Sequence, residues 1–395
     1  MTQIVKIGDI STQIRGVSYS KSDAILNKQD GYLPILRANN IQEQGLVLED
    51  FVYVPEGKIS EKQRILAGDV IIAASSGSIS LVGKAASAKE DINAGFGAFC
   101  KILRPNTELV DPRYFANYFQ TKKYRQIISN LAAGANINNL KNEHLDDLDI
   151  LLPPLEEQRR IASILDKADE LRQKRQQAIE KLDQLLQATF IDMFGDPVSN
   201  PKGWYLGKLG DVIHSAKDGP HVSPNYSETG IPFLSTRHVR AGKIVWDDLK
   251  FITEKDAQIH WKKCKPTRGD ILYTKGGTTG LAAVVDTDLD FAVWVHVALL
   301  KTNHDKVRSE WLVSMLNTQY CYEQSQRYTH GIANRDLGLK RMVNIEMYIP
   351  PLDEQDKFVN FKNKLMKNNL LFESSYSSLE QLFKSLQQQA FRGTL

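Results

Sequence analysis

The feature that most constrains this chain is that it is written twice. Around position 150 stands LLPPLEEQRRIASIL and around 347 stands MYIPPLDEQDKFVNF. Pro153, Pro154, Leu155, Glu157 and Gln158 recur 197 residues on as Pro350, Pro351, Leu352, Glu354 and Gln355. The offset persists from Leu182, Gln184 and Leu185 to Leu379, Gln381 and Leu382. Upstream the match is looser but collinear. KIGDI at 6 answers KLGDV at 208, LPILRANNI at 33 answers IPFLSTRHV at 231, and AGDVI at 67 answers RGDIL at 268. Two copies of one unit explain this, and a chain of 395 residues is long enough for each copy to bury its own core.

Each copy reads as a globular part followed by a long helix. Short β-rich runs (DVIIAAS at 69, DILYTK at 270, FAVWVHVALL at 291) alternate with Gly and Asn turns. DPRYFANYFQTKKYRQIISNL at 111 and SEWLVSMLNTQYCYEQSQ at 309 carry apolar residues at helical spacing, with Asp111 placed to start a helix. The globular parts are therefore mixed α and β. After each Pro-Pro comes a long stretch free of Gly and Pro, about 38 residues in the first copy, which as a helix spans roughly 55 to 60 Å. The expected class is α+β, with two globular parts (1–152 and 196–349) in tandem and two long antiparallel coiled-coil helices (153–195 and 350–395) separating them. MFGDPVSNPKGW at 193 is the helix stop and linker.

A heptad reading of those helices places Ile161, Ile164, Leu171, Leu182 and Leu185 of the first on a partner-helix interface. Phe358, Leu365, Phe372, Leu379 and Leu382 form the corresponding face of the second.

Motifs for catalysis are missing. There is no GxxxxGK[ST] phosphate loop and no HExxH zinc helix. Asp111-Pro112-Arg113-Tyr114 lacks the second proline of an adenine methyltransferase motif, and no Pro-Asp dipeptide exists to open the commonest nuclease core. Cys100, Cys264 and Cys321 are odd in number and scattered, which fits buried small hydrophobes better than disulfides or zinc ligands. Neither a cationic leader nor a long apolar run is present, so the expected location is the cytoplasm. The net charge of +3 decides nothing about nucleic acid, although the second globular part is mildly basic while the first is balanced.

PPLEEQRRIASILDKADEL leading into MFGDPVSNPKGW, and IPPLDEQ leading to AFRGTL, resemble the two constant regions of type I restriction-modification DNA-specificity subunits. The resemblance covers essentially the whole chain. It implies a non-catalytic reader in which each globular part is a target-recognition domain for one half of a bipartite site on double-stranded DNA. It also implies helices that act as a ruler and as a dock for two modification subunits, with restriction subunits joining. No cofactor is expected on this chain; S-adenosylmethionine, ATP and magnesium belong to those partners. Two departures stand out, the polar FESSYSS at 372 and Thr394 in FRGTL.

The resemblance supplies no base contacts, so candidates come from side-chain chemistry and the internal alignment. Arg37, Asn39 and Asn40 align with Ser235, Arg237 and His238, followed by Arg240; Arg suits guanine and Asn suits adenine. Ser75 and Ser76 align with the Gly-rich loop of Lys275 and Thr278, whose amides suit phosphates. Asn136, Asn138 and Lys141 align with the segment of Asn334 and Arg335. Lys217 and the basic run containing Lys262 and Lys263 complete the DNA-binding set. The alternatives are a self-sufficient methyltransferase or restriction enzyme, and a coiled-coil protein with no nucleic-acid role.

Overall fold

Three short sequence repeats become three repeated pieces of local geometry. In the Gly-Asp pair, Gly68 and Gly269 take φ of 87° and 88°, a left-handed turn that a side chain resists. The turn buries the next carboxylate. Asp69 accepts the Leu66 N–H at 2.8 Å and pairs with Arg104; Asp270 accepts the Thr267 N–H at 2.6 Å and pairs with Lys301. At KIGDI and KLGDV, Asp9 and Asp211 cap the Lys6 and Lys208 amides at 3.3 and 2.7 Å. At the start of each long helix, Gln158 and Gln355 are buried and used on both sides of the amide. Gln158 accepts from Asp111 N at 2.8 Å and donates to Pro153 O at 2.8 Å and Leu109 O at 3.2 Å. Gln355 accepts from Arg308 N at 2.8 Å and donates to Pro350 O at 2.8 Å and Lys306 O at 3.3 Å.

The computed structural model describes residues 2–42, 45–75, 81–134, 139–331 and 335–395. It divides into two compact units, Met1–Gln177 with Glu373–Leu395, and Ala178–Phe372. In the first, an antiparallel four-stranded sheet runs Ser11–Arg15, Cys100–Pro105, Val70–Ala73, Ala85–Ser87. A second sheet sets Tyr32–Leu36 antiparallel to Val52–Pro55 and parallel to Gly95–Phe96. Gln3–Lys6 pairs with Asp149–Leu152 and closes the globular part at the root of the helix.

The second unit repeats this framework and adds one strand, Tyr226–Ser227, antiparallel to Lys250–Ile252. Its four-stranded sheet runs Ile213–Asp218, Val297–Thr302, Ile271–Thr274, Ala282–Val284. Ile231–Leu234 lies antiparallel to Lys250–Ile252 and parallel to Ala292–Val293, and Tyr205–Lys208 pairs with Glu346–Ile349. The sequence repeat is thus a fold repeat. One helix has no counterpart of its length. After Lys250–Ile252 comes the helix Glu254–Lys263, where the first unit has only single turns at Glu56–Lys58 and Glu61–Gln63.

Each amphipathic run forms two helices instead of one, Pro112–Tyr118 with Lys122–Gly134, and Ser309–Leu316 with Gln319–Tyr328. Asp111 caps the first of these by accepting the Arg113 and Tyr114 amides. Thr318 caps the last by accepting Cys321 N. The same threonine that starts the new helix ends the old one.

The long helices run Leu155–Phe194 and Leu352–Ala390, 40 and 39 residues. In the first unit they pair antiparallel. Arg160 donates to Leu395 O at 2.8 Å, and farther along Arg172 lies over the Phe383 ring at 5.3 Å. In the second unit Phe358 packs against Phe190 and Phe194, with ring centroids 5.2 and 5.6 Å apart.

The heptad face needs correction. Ile161 and Phe358 are buried, and Ile164, Leu182, Leu365, Phe372 and Leu379 are half-buried, but Leu171, Leu185 and Leu382 are 45%, 47% and 50% exposed. The buried stripe runs through Ile161, Leu165, Ala168, Phe190 and Phe194 on one helix and includes Phe383 on the other. Ile161, Leu165 and Ala168 belong to the core of the first globular part and Phe190 and Phe194 to that of the second, so the face buried at each end is set by the core it packs on and no single heptad register follows it.

Candidate nucleic-acid interface

In both units the loops at one end of the strands converge. Ser75 N–H donates to Phe99 O at 3.0 Å and forms a bridge with Asn139. The equivalent Gly276 N–H donates to His296 O at 3.2 Å and bridges Asp336, and beside it Leu337 N–H donates to Lys275 O at 2.7 Å. The second and third candidate clusters are therefore brought together twice. In the first unit the first cluster joins them: Arg37, Asn39 and Ser75 line one pocket of about 630 Å³ with Tyr19 and Phe99. Phe99 is 69% exposed there, and nothing about its residue type in the sequence marked it as a site residue.

Not every candidate faces outward. Asn40 is 1% exposed; its side chain accepts Arg37 N at 2.9 Å and donates to Val47 O and Glu49 O. His238 is its structural counterpart, buried and accepting Ser235 N at 2.9 Å, and burial pulls its imidazole below the usual value. These two build the turn, and the reading of them as base contacts is corrected accordingly. Lys275 is likewise buried, salt-bridged to Asp218 at 3.3 Å and Asp336 at 3.0 Å. Burial opposes ionisation of Asp218, but the Lys263 and Lys275 ammoniums outweigh it and hold its carboxyl below the usual range. A side chain so paired is a strut of the loop rather than a phosphate contact.

The turn leaves other groups at the surface. Asn39, Arg237 and Arg240 are exposed, and Arg37 and Ser235 are half-buried. Arg37 and Arg237 occupy different positions of the aligned turn, yet each guanidinium reaches an equivalent carbonyl, Asp50 O at 2.7 Å and Asp248 O at 2.6 Å. Both aspartates hold left-handed backbone, φ 53° and 51°. Thr278, Lys141 and Arg335 are exposed, Arg335 bonding Gln326. Lys217, Lys262 and Lys263 are exposed around a separate basic pocket. Ser76, Asn136, Asn138 and Asn334 lie outside the described residues.

Cys100, Cys264 and Cys321 are buried and free. Among the described residues no cluster of three or more His, Cys, Asp or Glu is arranged to hold a metal ion. Among the same residues no helix is long and apolar enough to cross a membrane.

The chain is 35% identical over 284 residues to the Type I restriction enzyme EcoKI specificity subunit of Escherichia coli strain K12, a match spanning 69% of this chain and 61% of that protein. It is 29% identical over 414 residues to the StySPI specificity subunit of Salmonella potsdam, spanning 98% of this chain and 88% of that one. Among solved structures it is similar in fold to a type I restriction-modification S subunit from M. genitalium, with a TM-score of 0.59 at 15% identity over 99% of this chain and 96% of that one. The type I restriction modification DNA specificity domain matches twice, at residues 2–181 and 201–381, once for each copy of the repeat. With both halves of the chain so accounted for, it belongs to the family of type I restriction-modification DNA-specificity proteins.

Proposed function

We propose that this chain is the sequence-reading, non-catalytic subunit of a type I restriction-modification complex, and that each globular part, 1–152 and 196–349, contacts one half of a bipartite duplex target. The long helices at 153–195 and 350–395 set the separation of the halves and receive two modification subunits, with restriction subunits joining. Methyl transfer, ATP use and cleavage then reside on those partners, in the cytoplasm where the target DNA lies.

One observation carries the reading. A repeated frame presents different side chains at equivalent loop positions: Arg37 and Asn39 against Ser235 and Arg237, Ser75 against Gly276, Asn139 against Asp336. One scaffold reading two different half-sites requires that combination, since the frame fixes position and the exposed side chains supply the hydrogen-bond code. The base-reading set in this proposal is Arg37, Asn39 and Ser75 in the first unit and Ser235, Arg237, Arg240, Thr278 and Arg335 in the second. Lys141, Lys217, Lys262 and Lys263 act on phosphates. Ser76, Asn136, Asn138 and Asn334 join the set on their sequence positions alone.

The test is methylome sequencing of cells carrying this gene with its modification and restriction genes, beside cells lacking only this gene. A bipartite methylated motif present in the first and absent in the second is the expected result; methylation that persists without the gene refutes the reading. Arg237→Ala should relax one half of that motif and leave the other, at about 1 to 3 kcal/mol if the guanidinium reads a guanine.

A further inference from the structure

The second unit carries a pocket of about 350 Å³ walled by Lys217, Lys262, Lys263, Lys265 and Lys301, with Trp261 at its side. Three of the five ammoniums are matched by carboxylates: Lys263 with Asp218, Lys265 with Asp290, and Lys301 with Asp270. Lys217 and Lys262 have no ion-pair partner among the described residues, so the pocket keeps two uncompensated positive charges. Its wall is rigid where it needs to be. Trp261 Nε1 donates to Phe291 O at 2.8 Å, and Lys265 Nζ lies 4.4 Å above the Trp261 ring.

The described residues of the first unit do not repeat this lysine wall, and strand register shows why. Leu299 faces Lys217 across the second unit's sheet; the equivalent Ile102 faces Ile14, an apolar residue packed on the core. The helix Glu254–Lys263, whose last turn carries Lys262 and Lys263, is replaced in the first unit by isolated single turns. Only the structural pair beneath survives in both, as Arg104 with Asp69 and Lys301 with Asp270.

The pocket also connects to the loops of the candidate interface. Lys263 and Lys275 both grip Asp218, and Lys275 grips Asp336 in the loop beside Arg335. A group held in the pocket is thus joined to the loops proposed to read DNA through two ion pairs that share Asp218.

We propose that this lysine pocket seats a backbone phosphodiester of the bound duplex, and does so at the second unit's half-site only. The inference rests on the DNA-reading function proposed above and adds to it an asymmetry: the two halves of the target are gripped by backbone contacts of unequal strength.

The test uses the full chain in complex with its modification subunits and a fluorescent duplex bearing the methylated motif, with affinity followed over a KCl series. For every phosphate that the protein no longer neutralises, the slope of log K against log salt becomes shallower by about 0.9. Lys217→Ala/Lys262→Ala should flatten the slope by about one unit with the methylated motif unchanged, while Lys217→Arg/Lys262→Arg keeps it. Lys89 and Lys123 are exposed in the first unit, away from the candidate loops; Lys89→Ala/Lys123→Ala, the same charge change there, should leave the slope alone, and an equal flattening would reduce the effect to net charge and overturn the seat. Neutral methylphosphonates introduced one linkage at a time should reveal a position in the half-site relaxed by Arg237→Ala that weakens the parent complex and not the double alanine variant. Specific binding with an undiminished slope in the double variant refutes the phosphate seat alone. A parent complex that does not prefer the motif duplex refutes the DNA-reading function itself.

Discussion

Replacing Gln158 by alanine tests how each globular part is fixed to its helix. The amide makes three hydrogen bonds, one accepted from Asp111 N and two donated to Leu109 O and Pro153 O, and the side chain is 1% exposed. Alanine removes all three partners and leaves a buried N–H and two carbonyls without them. Each such group costs about 1 to 3 kcal/mol when water cannot replace its partner. The Leu109 bond is only part-buried and the small cavity can partly close, so the expected loss is about 2 to 4 kcal/mol rather than the full sum. For a unit of this size that lowers Tm by roughly 5 to 12 °C, read by calorimetry on the full chain. Gln158→Glu should be no better, because a carboxylate faces the same two carbonyls with no proton to donate. Gln355→Ala repeats the experiment in the second unit with no shared partner, so the two losses should add. A loss below about 0.5 kcal/mol in both would refute the idea that the repeated Glu-Gln exists to weld helix to domain.

Phe391→Ala removes a ring packed at a tilt against Tyr114 and edge-on to Tyr118, with centroids 5.0 and 5.7 Å apart, and should cost the first unit about 2 to 3 kcal/mol; an unchanged denaturation midpoint would show that this ring adds nothing. Lys362 is pushed down to about 8, chiefly by burial against the helix Ser309–Leu316, with Glu310 pulling partly back. Its folded pKa therefore lies below the unfolded 10.5, the unfolded chain binds more protons between those values, and stability rises as pH climbs through that window. Lys362→Met should raise stability at pH 7 and remove that rise; a pH–stability curve that keeps its shape in the variant would contradict the assignment. The adjacent pair Asn39 and Asn40 should separate cleanly, Asn40→Ala lowering Tm by removing three hydrogen bonds and Asn39→Ala leaving Tm alone while relaxing the first half-site in the methylome. Equal effects on Tm would undo the division between turn and reader.

The repeat, the mixed globular parts and the two long helices were legible because each leaves a local mark: an offset, a period, a Pro-Pro start, a capping Asp111. Burial was not. Lys275 reads in sequence as one more cation in a Gly-rich loop, and only Asp218, some sixty residues upstream, and Asp336, as far downstream, turn it into a buried strut. Asn40 and His238 look like readers because the hydrogen-bonding capacity that suits a base edge also suits a tight turn; in the fold Asn40 spends its amide on the turn, and His238 closes the same turn through Nδ1. The helix seam was missed because each end of the first helix buries the face its own globular core takes, Ile161, Leu165 and Ala168 at one end and Phe190 and Phe194 at the other, which a register through Leu171 and Leu185 does not follow.

The corrections share a pattern that bears on how such a chain changes its target. Apart from Lys275, whose place in the first unit is taken by Ala74, the groups that turned out to be structural come in equivalent pairs in the two units: Asp69 and Asp270, Gln158 and Gln355, Asn40 and His238 at one turn position. The groups left exposed at equivalent positions differ between the units. Arg37 and Arg237 show how both conditions are met at once. The frame wants a donor at the carbonyl of a left-handed aspartate, and it receives one from the first position of the turn in one unit and from the third in the other. The vacated position is then free to carry another side chain, Asn39 in the first unit and Ser235 in the second. A turn that can be braced from two places can change what it presents without changing its shape, so the identity of a half-site can drift while the scaffold, and whatever docks on it, stays fixed.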